Sequence, residues 1–395
     1  MTQSEKYEYE SKEEYSKINK EIVSKKQEEN EEKQNNKYYT VKVDYYEYYG
    51  MYYLEIPKDY LDQITELRKT KEDIFAKGKI LTFNHNNKDN FIFDAVIDST
   101  EDEIYAYFVP IREKFRYSMD LAGEYTVNER NGDLTFIRMK DAIDEFVEGE
   151  CCSKNIEKYL LGANVSNNRG YNKLRKIINY DMEYLTNIEK FKSLNNNQRN
   201  KLDKIFYNEM NTISVNSKDQ YKIICLIVYA IYQVRRNYKD KILICSSSNL
   251  VADSISLELL NLQECVDDFE LLRIYAKNQE IIKRNNRLSE ISFHRIIRKN
   301  REDFDDKYEL KDWIIETSDI IVSTCVNCYN DDLINYRFPF VIIIDANNAN
   351  ENESLIPITL KAKHVVLISF KPNDNEELNL YKRIRHIYPR IHINL

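Results

Sequence analysis

Glycine is nearly absent from this chain: seven residues in 395, and none after Gly170. A loop that wraps phosphate in backbone N–H groups needs glycine wherever the chain approaches its ligand closely or takes a positive φ. A glycine-built phosphate loop is therefore excluded from the C-terminal half. Net positive charge is also missing. The formal charge of −8 gives no overall pull towards nucleic acid, although local basic segments remain able to bind it. Long apolar runs are lacking too. The longest, "IICLIVYAIY" from Ile223 to Tyr232, is too short to cross a membrane and suits a buried helix. The N-terminus is charged and has no apolar core of a signal peptide. Seven cysteines, an odd number, without a secretion signal point to reduced thiols and a cytoplasmic location, with no membrane partner. Cys325 and Cys328 form a C-x-x-C, but no second pair or spaced histidines complete a zinc set. The five histidines are scattered, with no triad and no metal site among them.

What is abundant is Asn, Lys, Ile and Tyr, all with AT-rich codons, so the 31 tyrosines are read first as nucleotide bias. The chain length suggests two or three domains. Residues 1–37 are rich in Glu, Lys and Gln, with a narrow apolar stripe at Tyr15, Ile18, Ile22 and Val23, as in a charged stalk helix. Residues 38–133 change to short alternating segments such as "YYTVKVDYY", "NFIFDAVIDS" and "EIYAYFV", which predict a small all-β barrel. Helical spacing returns over 134–190, a connector. From 191 to 395, helices alternate with short β-branched runs: "TISV", "KILICS", "LLRIYA", "DIIVST", "FVIIID" and "HVVLISF". That alternation predicts an α/β unit, a parallel sheet with helices on both faces.

These pieces resemble, in order, the superfamily 1 RNA helicases of the nonsense-mediated mRNA decay type. "SLNNNQRNKL" is similar to the family's Q motif, with Gln198 placed to read adenine. "ILICSSSNLVADSIS" carries the Cys-x-x-Ser-Asn-x-x-x-Asp pattern at Cys245, Ser248, Asn249 and Asp253. "SDIIVSTCV" and "LIPITLKAKHVVLIS" match later strands, and "RMKDAIDEFVEGECCSKNIEKYLLG" resembles the run between barrel and RecA-like domain. The resemblance implies stalk, barrel and first RecA-like domain of a P-loop NTPase fold, and it stops before a second RecA-like domain. It also implies RNA as a partner, and ATP with Mg²⁺ as the family's cofactors.

Phosphoryl transfer needs a phosphate loop with its lysine, a hydroxyl and a carboxylate for Mg²⁺, and a group that orients water. The segment "SVNSKDQY" falls where the family has its G-x-x-x-x-G-K-[ST] loop. Ser214 and Asp219 replace the glycines, Gln220 the lysine and Tyr221 the Mg²⁺-binding hydroxyl; Lys218 is displaced two residues upstream. Asp219 at a helix N-terminus would also compete with phosphate for the positive end of the dipole. Asp345 ends the strand "FVIIID", but the water-activating glutamate is either replaced by Ala346 or deleted, depending on where a one-residue gap falls, so Asp345 reads better as a cap after a buried strand. The γ-phosphate sensor is replaced by Ser369, Phe370, Lys371, Pro372 and Asn373. No catalytic residue and no cofactor are expected here.

Backbone-tracking polar positions persist at Ser248, Asn249, Ser323 and Thr324, which could contact RNA or simply cap helices. A basic run at Lys283, Arg284, Arg287, Arg295 and Arg298 is a candidate RNA contact or a solvated face, and a second lies at Lys382, Arg383, Arg385 and Arg390. The expectation is a catalytically dead, helicase-like adaptor for RNA or a ribonucleoprotein. The alternatives are a protein-interaction scaffold without RNA binding, and half of a split helicase completed by a second domain in trans.

Overall fold

The computed structural model describes residues 7–32, 38–46, 51–63, 74–75, 79–88, 91–101, 104–110, 121–129, 133–165, 203–235, 240–266, 269–276, 286–301, 304, 306–370 and 378–395. They divide into two units, one over 26–134 with 276–284, and one over 1–25, 135–275 and 285–395. In chain order come helix α1 (Lys12–Glu32), strands β1 (Tyr39–Tyr46) and β2 (Met51–Glu55), α2 (Lys58–Leu61), β3 (Ile80–His85), β4 (Ile92–Glu101), β5 (Tyr105–Pro110) and β6 (Gly123–Glu129). Then follow α3 (Asp133–Glu148), α4 (Lys154–Leu161), β7 (Met210–Val215), α5 (Gln220–Arg235), β8 (Ile242–Ser246), α6 (Asn249–Val266) and β9 (Leu271–Arg273). The chain continues through α7 (Asn286–Glu290), α8 (Phe293–Lys299), α9 (Lys307–Thr317), β10 (Ile320–Thr324), β11 (Phe340–Ile344), α10 (Glu351–Ile358), β12 (His364–Phe370), α11 (Leu380–Ile387) and β13 (His392–Asn394).

The smaller unit is a closed antiparallel barrel in the order β1-β2-β5-β4-β3-β6. Its alternating strands send Val41, Val43, Leu54, Phe83, Phe93, Phe108 and Tyr125 inward, each almost fully buried. Phe83 stacks on Phe93 with ring centroids 4.8 Å apart and meets Phe108 at 4.7 Å.

The larger unit is a seven-stranded sheet in the order β13-β7-β12-β11-β8-β10-β9, with every pair parallel. Its strands lack alternation because both faces are covered, and every residue of β7, β8 and β11 is buried. Two core clusters lie on the two faces of the sheet. One gathers around the apolar run of α5, the other around α3, α4, α10 and part of α1. The stripe of α1 that packs is Tyr15, Asn19 and Val23, spaced by four, with Ile18 at its edge. Helix α4 is stopped by Gly162 at φ +79, where a Cβ would come within 3.1 Å of the Tyr7 carbonyl oxygen.

Candidate functional site

In open parallel sheets ligands bind beyond the carboxyl ends of the strands, where the direction of the crossovers reverses. Here the chain leaves β7 for β8 on one side, whereas it leaves β12 for β13 on the other. The ends of β7 and β12 lie side by side, with Ser369 paired to Ser214 and Phe370 to Val215. Strand β11 follows, Ile344 beside Ile368. Ser214, the turn leading into α5, Phe370 and Asp345 therefore meet at this crevice.

Aromatic and hydroxyl groups gather around these strand ends. The Ser214 hydroxyl is hydrogen-bonded to the Tyr381 hydroxyl at 2.7 Å and lies 3.3 Å from His392 Nε2. Tyr221, in the first turn of α5, packs edge-on against Phe370, with centroids 5.3 Å apart and planes at 67°. Burial raises the Tyr221 hydroxyl pKa, a hydrogen bond with Ser254 opposes this, and the nearby Asp345 charge adds to the rise. Lys218 is exposed on the turn before α5, and Gln220 begins the helix half-buried. Asp219 is exposed; its carboxylate holds Lys222 Nζ at 3.1 Å, and its N–H donates to Ser217 Oγ at 3.2 Å.

Asp345 leaves β11 with φ +58, a left-handed conformation uncommon outside glycine. It is 8 % exposed. Its Oδ2 accepts from Asn348 Nδ2 at 2.8 Å and its carbonyl from the Asn348 N–H at 2.9 Å, so it closes the turn after the strand. Ala346 is fully buried, its N–H donating to the Ile368 carbonyl at 2.8 Å. Glu351 is the next acid along, and it is engaged elsewhere: Arg383 donates to both its oxygens, at 2.6 and 3.0 Å.

The expected nucleic-acid contacts fare unequally. Ser323 is fully buried and donates to the Ile274 carbonyl at 3.3 Å, so its side chain has no open surface. Thr324 is half-buried and accepts from the Asn327 N–H at 3.3 Å. Ser248 accepts from the Val251 N–H at 3.3 Å at the start of α6. Asn249 accepts from Arg273 Nη2 at 2.9 Å. Arg273 is fully buried, donates to Asp253 at 3.0 Å and lies 4.0 Å from the Tyr275 ring centroid. The Asn-x-x-x-Asp spacing thus grips a buried arginine, a partner the motif alone did not suggest. Of the first basic run, Arg287 is tied to Glu264 at 2.7 Å and Asn261 at 2.9 Å, while Arg295 and Arg298 stand exposed on α8. Lys283, Arg284, Gln198 and Lys371 to Asn373 lie outside the described residues. In the second run Arg383 is buried, contrary to a solvated face.

Cys245, Cys325 and Cys328 are buried. Burial, with the two neighbouring thiols, pushes Cys245 far above the ordinary thiol range. Among the described residues no group of three or more His, Cys, Asp or Glu could hold a metal ion.

The parallel sheet, its reversal point and the segments gathered there define a RecA-like α/β unit. A family model described as an AAA domain matches residues 273–368. The chain is 23% identical over 260 residues to the ATP-dependent helicase NAM7 of Saccharomyces cerevisiae, covering 59% of this chain and 25% of that protein. It is 23% identical over 164 residues to the regulator of nonsense transcripts 1 homolog of Arabidopsis thaliana, covering 35% and 12%. With the regulator of nonsense transcripts 1 of Dictyostelium discoideum it shares 25% identity over 155 residues, 33% and 11%. The chain is similar to these proteins over part of its length, and the matches span a quarter or less of each relative's length.

Proposed function

We propose that this chain is a helicase relative that does not turn over nucleotide and acts in the cytoplasm as an adaptor for RNA or a ribonucleoprotein. The observation that carries the reading is the Tyr221–Phe370 ring pair beside Asp345. A magnesium-bound triphosphate would need an ammonium and a small hydroxyl at the start of α5, and a second carboxylate after Asp345. Gln220, Tyr221 and Ala346 stand there instead, a set that does not fit the cofactor. The exposed Arg295 and Arg298, one helical turn apart on α8, support phosphate-backbone contact.

Calorimetry with Mg²⁺-ATP should show no binding, and micromolar affinity abolished by Gln198→Ala would overturn the inactive reading. Single-stranded RNA should be retarded by the chain in a salt-dependent manner, less so after Arg295→Glu with Arg298→Glu. Each neutralised phosphate contributes a slope of about −0.7 in log K against log salt for single strands, so losing two contacts should flatten the slope by about 1.4. A scaffold that binds protein only is the second reading. It is favoured by the burial of Ser323 and by the engagement of Asn249 with Arg273; no RNA binding at low salt would select it. A second helicase domain supplied in trans would be the protein partner of a split enzyme, which the same ATP titration tests.

A further inference from the structure

At the opposite rim of the sheet, beneath the amino ends of its strands, lies a cleft of about 900 Å³. It sits among Lys241 just before β8, Pro339 before β11, Lys363 before β12, and the start of α4. That volume is in the range of small-molecule pockets, roughly 300–1,000 Å³. Its lining is unlike the rest of an acidic protein. Lys12, Lys154, Lys241, Arg337, Lys361 and Lys363 bring cationic side chains to it. Glu150, Glu157, Asp240 and Glu316 oppose them. Glu157 is already paired with Lys12 at 2.8 Å, which leaves five cations facing three carboxylates.

The remaining cations are poorly compensated. Among the described residues, no carboxylate lies within ion-pair distance of Lys154, Arg337 or Lys363, all three exposed. Lys241 Nζ rests on two backbone carbonyls, those of Glu316 at 2.7 Å and Ser318 at 2.8 Å. Lys361 Nζ donates to the Glu150 carbonyl at 3.2 Å. Lys361 also holds φ +68, and its N–H is fixed to the Cys151 carbonyl at 2.8 Å. Strained backbone outside glycine gathers at ligand clamps when the surroundings enforce it. Here the strain places a lysine at the lip of the cleft.

We propose that this cleft binds a small phosphorylated molecule carrying several negative charges, held by Lys154, Arg337, Lys361 and Lys363. Mobile lysines suit phosphate as point charges, and Arg337 adds a planar fork that can take two phosphate oxygens. The site is remote from α8 and from the crevice beside Asp345, so it stands or falls independently of the adaptor reading.

The test uses the full chain and inorganic tripolyphosphate, titrated by calorimetry without Mg²⁺ at physiological salt. One site is expected, weakened roughly tenfold or more, about 1.4 kcal/mol, by Lys154→Glu with Lys363→Glu. Arg337→Ala, a milder change at an exposed residue, should weaken it in the same direction, and a thermal melt confirms that each variant is folded. Lys218→Glu at the other rim and the Arg295→Glu, Arg298→Glu pair should leave it unchanged. Absence of tripolyphosphate binding overturns the proposal, as does equal weakening by Lys218→Glu. Displacement of tripolyphosphate by single-stranded oligouridylate would assign the cleft to nucleic acid instead and overturn it as well.

Discussion

Arg383 and Glu351 form a buried pair whose energetics follow from its surroundings. The guanidinium is fully buried and donates to both Glu351 oxygens, to the Tyr7 carbonyl at 3.0 Å and to the Leu160 carbonyl at 2.8 Å. Burial works against its charge, but the Glu351 carboxylate more than offsets that and holds its pKa above the ordinary arginine value. One side chain thereby ties the N-terminal segment, α4, α10 and α11. Replacing Arg383 by Met strands the carboxylate of Glu351 in the interior, which costs about 3–5 kcal/mol. The double variant Glu351→Leu, Arg383→Met removes both charges and should recover much of that loss, because an apolar pair carries no desolvation penalty. Urea unfolding of the three proteins checks this; a double variant as unstable as Arg383→Met alone would contradict it. Nothing in the local sequence separates Arg383 from Lys382 and Arg385, its exposed-looking neighbours, since its acceptors come from residues more than thirty positions away in the chain.

The central strands of the sheet were legible as elements because burial on both faces leaves a continuous β-branched signal, as in "FVIII" of β11. The barrel strands were legible by their period of two. Strand β13, "HIN", was not: three residues carry no pattern, and its extended form depends on pairing with β7, His392 beside Thr212 and Asn394 beside Ser214. At the crevice, the residue replacements could be read from spacing, but the contact of Tyr221 with Phe370 could not. It arises from the register that sets β12 beside β7. Strand β13 also brings a titratable clasp. His392 Nδ1 lies 3.1 Å from Thr212 Oγ1, and its Nε2 lies 2.9 Å from Asn394 Oδ1 and 3.3 Å from Ser214 Oγ. Burial lowers the His392 pKa, partly countered by the hydrogen bond to Asn394. The folded chain therefore takes up the proton less readily than the unfolded chain. The associated stability is present above the unfolded value, about 6.5, and is lost as pH falls through that value towards the lower folded one. Amide exchange at Ile393 and Leu395 should accelerate as pH falls below about 6.5, and His392→Asn should flatten the response. Exchange independent of pH beyond its intrinsic chemical dependence would refute the clasp.

At the scale of the whole molecule, the chain divides into a smaller unit, whose barrel strands all fall in one segment, and a larger α/β unit assembled from several stretches. The barrel has a topological property that makes it separable. Its first and last strands pair, Tyr39 beside Val127 and Val43 beside Gly123, so the ends of the segment meet within the barrel itself. Every other strand pairing, β1 with β2, β2 with β5, β5 with β4, β4 with β3 and β3 with β6, also falls between Tyr39 and Glu129. Closure leaves no open sheet edge to aggregate. The interior rings, Phe83, Phe93, Phe108 and Tyr125, supply a core from the same segment, with Tyr60 and Phe75 packed at 4.8 Å beside Tyr39. A segment of this size is long enough to bury a core of its own. Residues 38–129 expressed alone should therefore give a dispersed amide spectrum and a single cooperative melt. Phe83→Ala should lower its stability by about 3–5 kcal/mol, a large part of the total for so small a domain. A disordered spectrum from the unmutated segment would mean that strand closure and the ring cluster do not suffice. In that event the barrel's order depends on the rest of the chain.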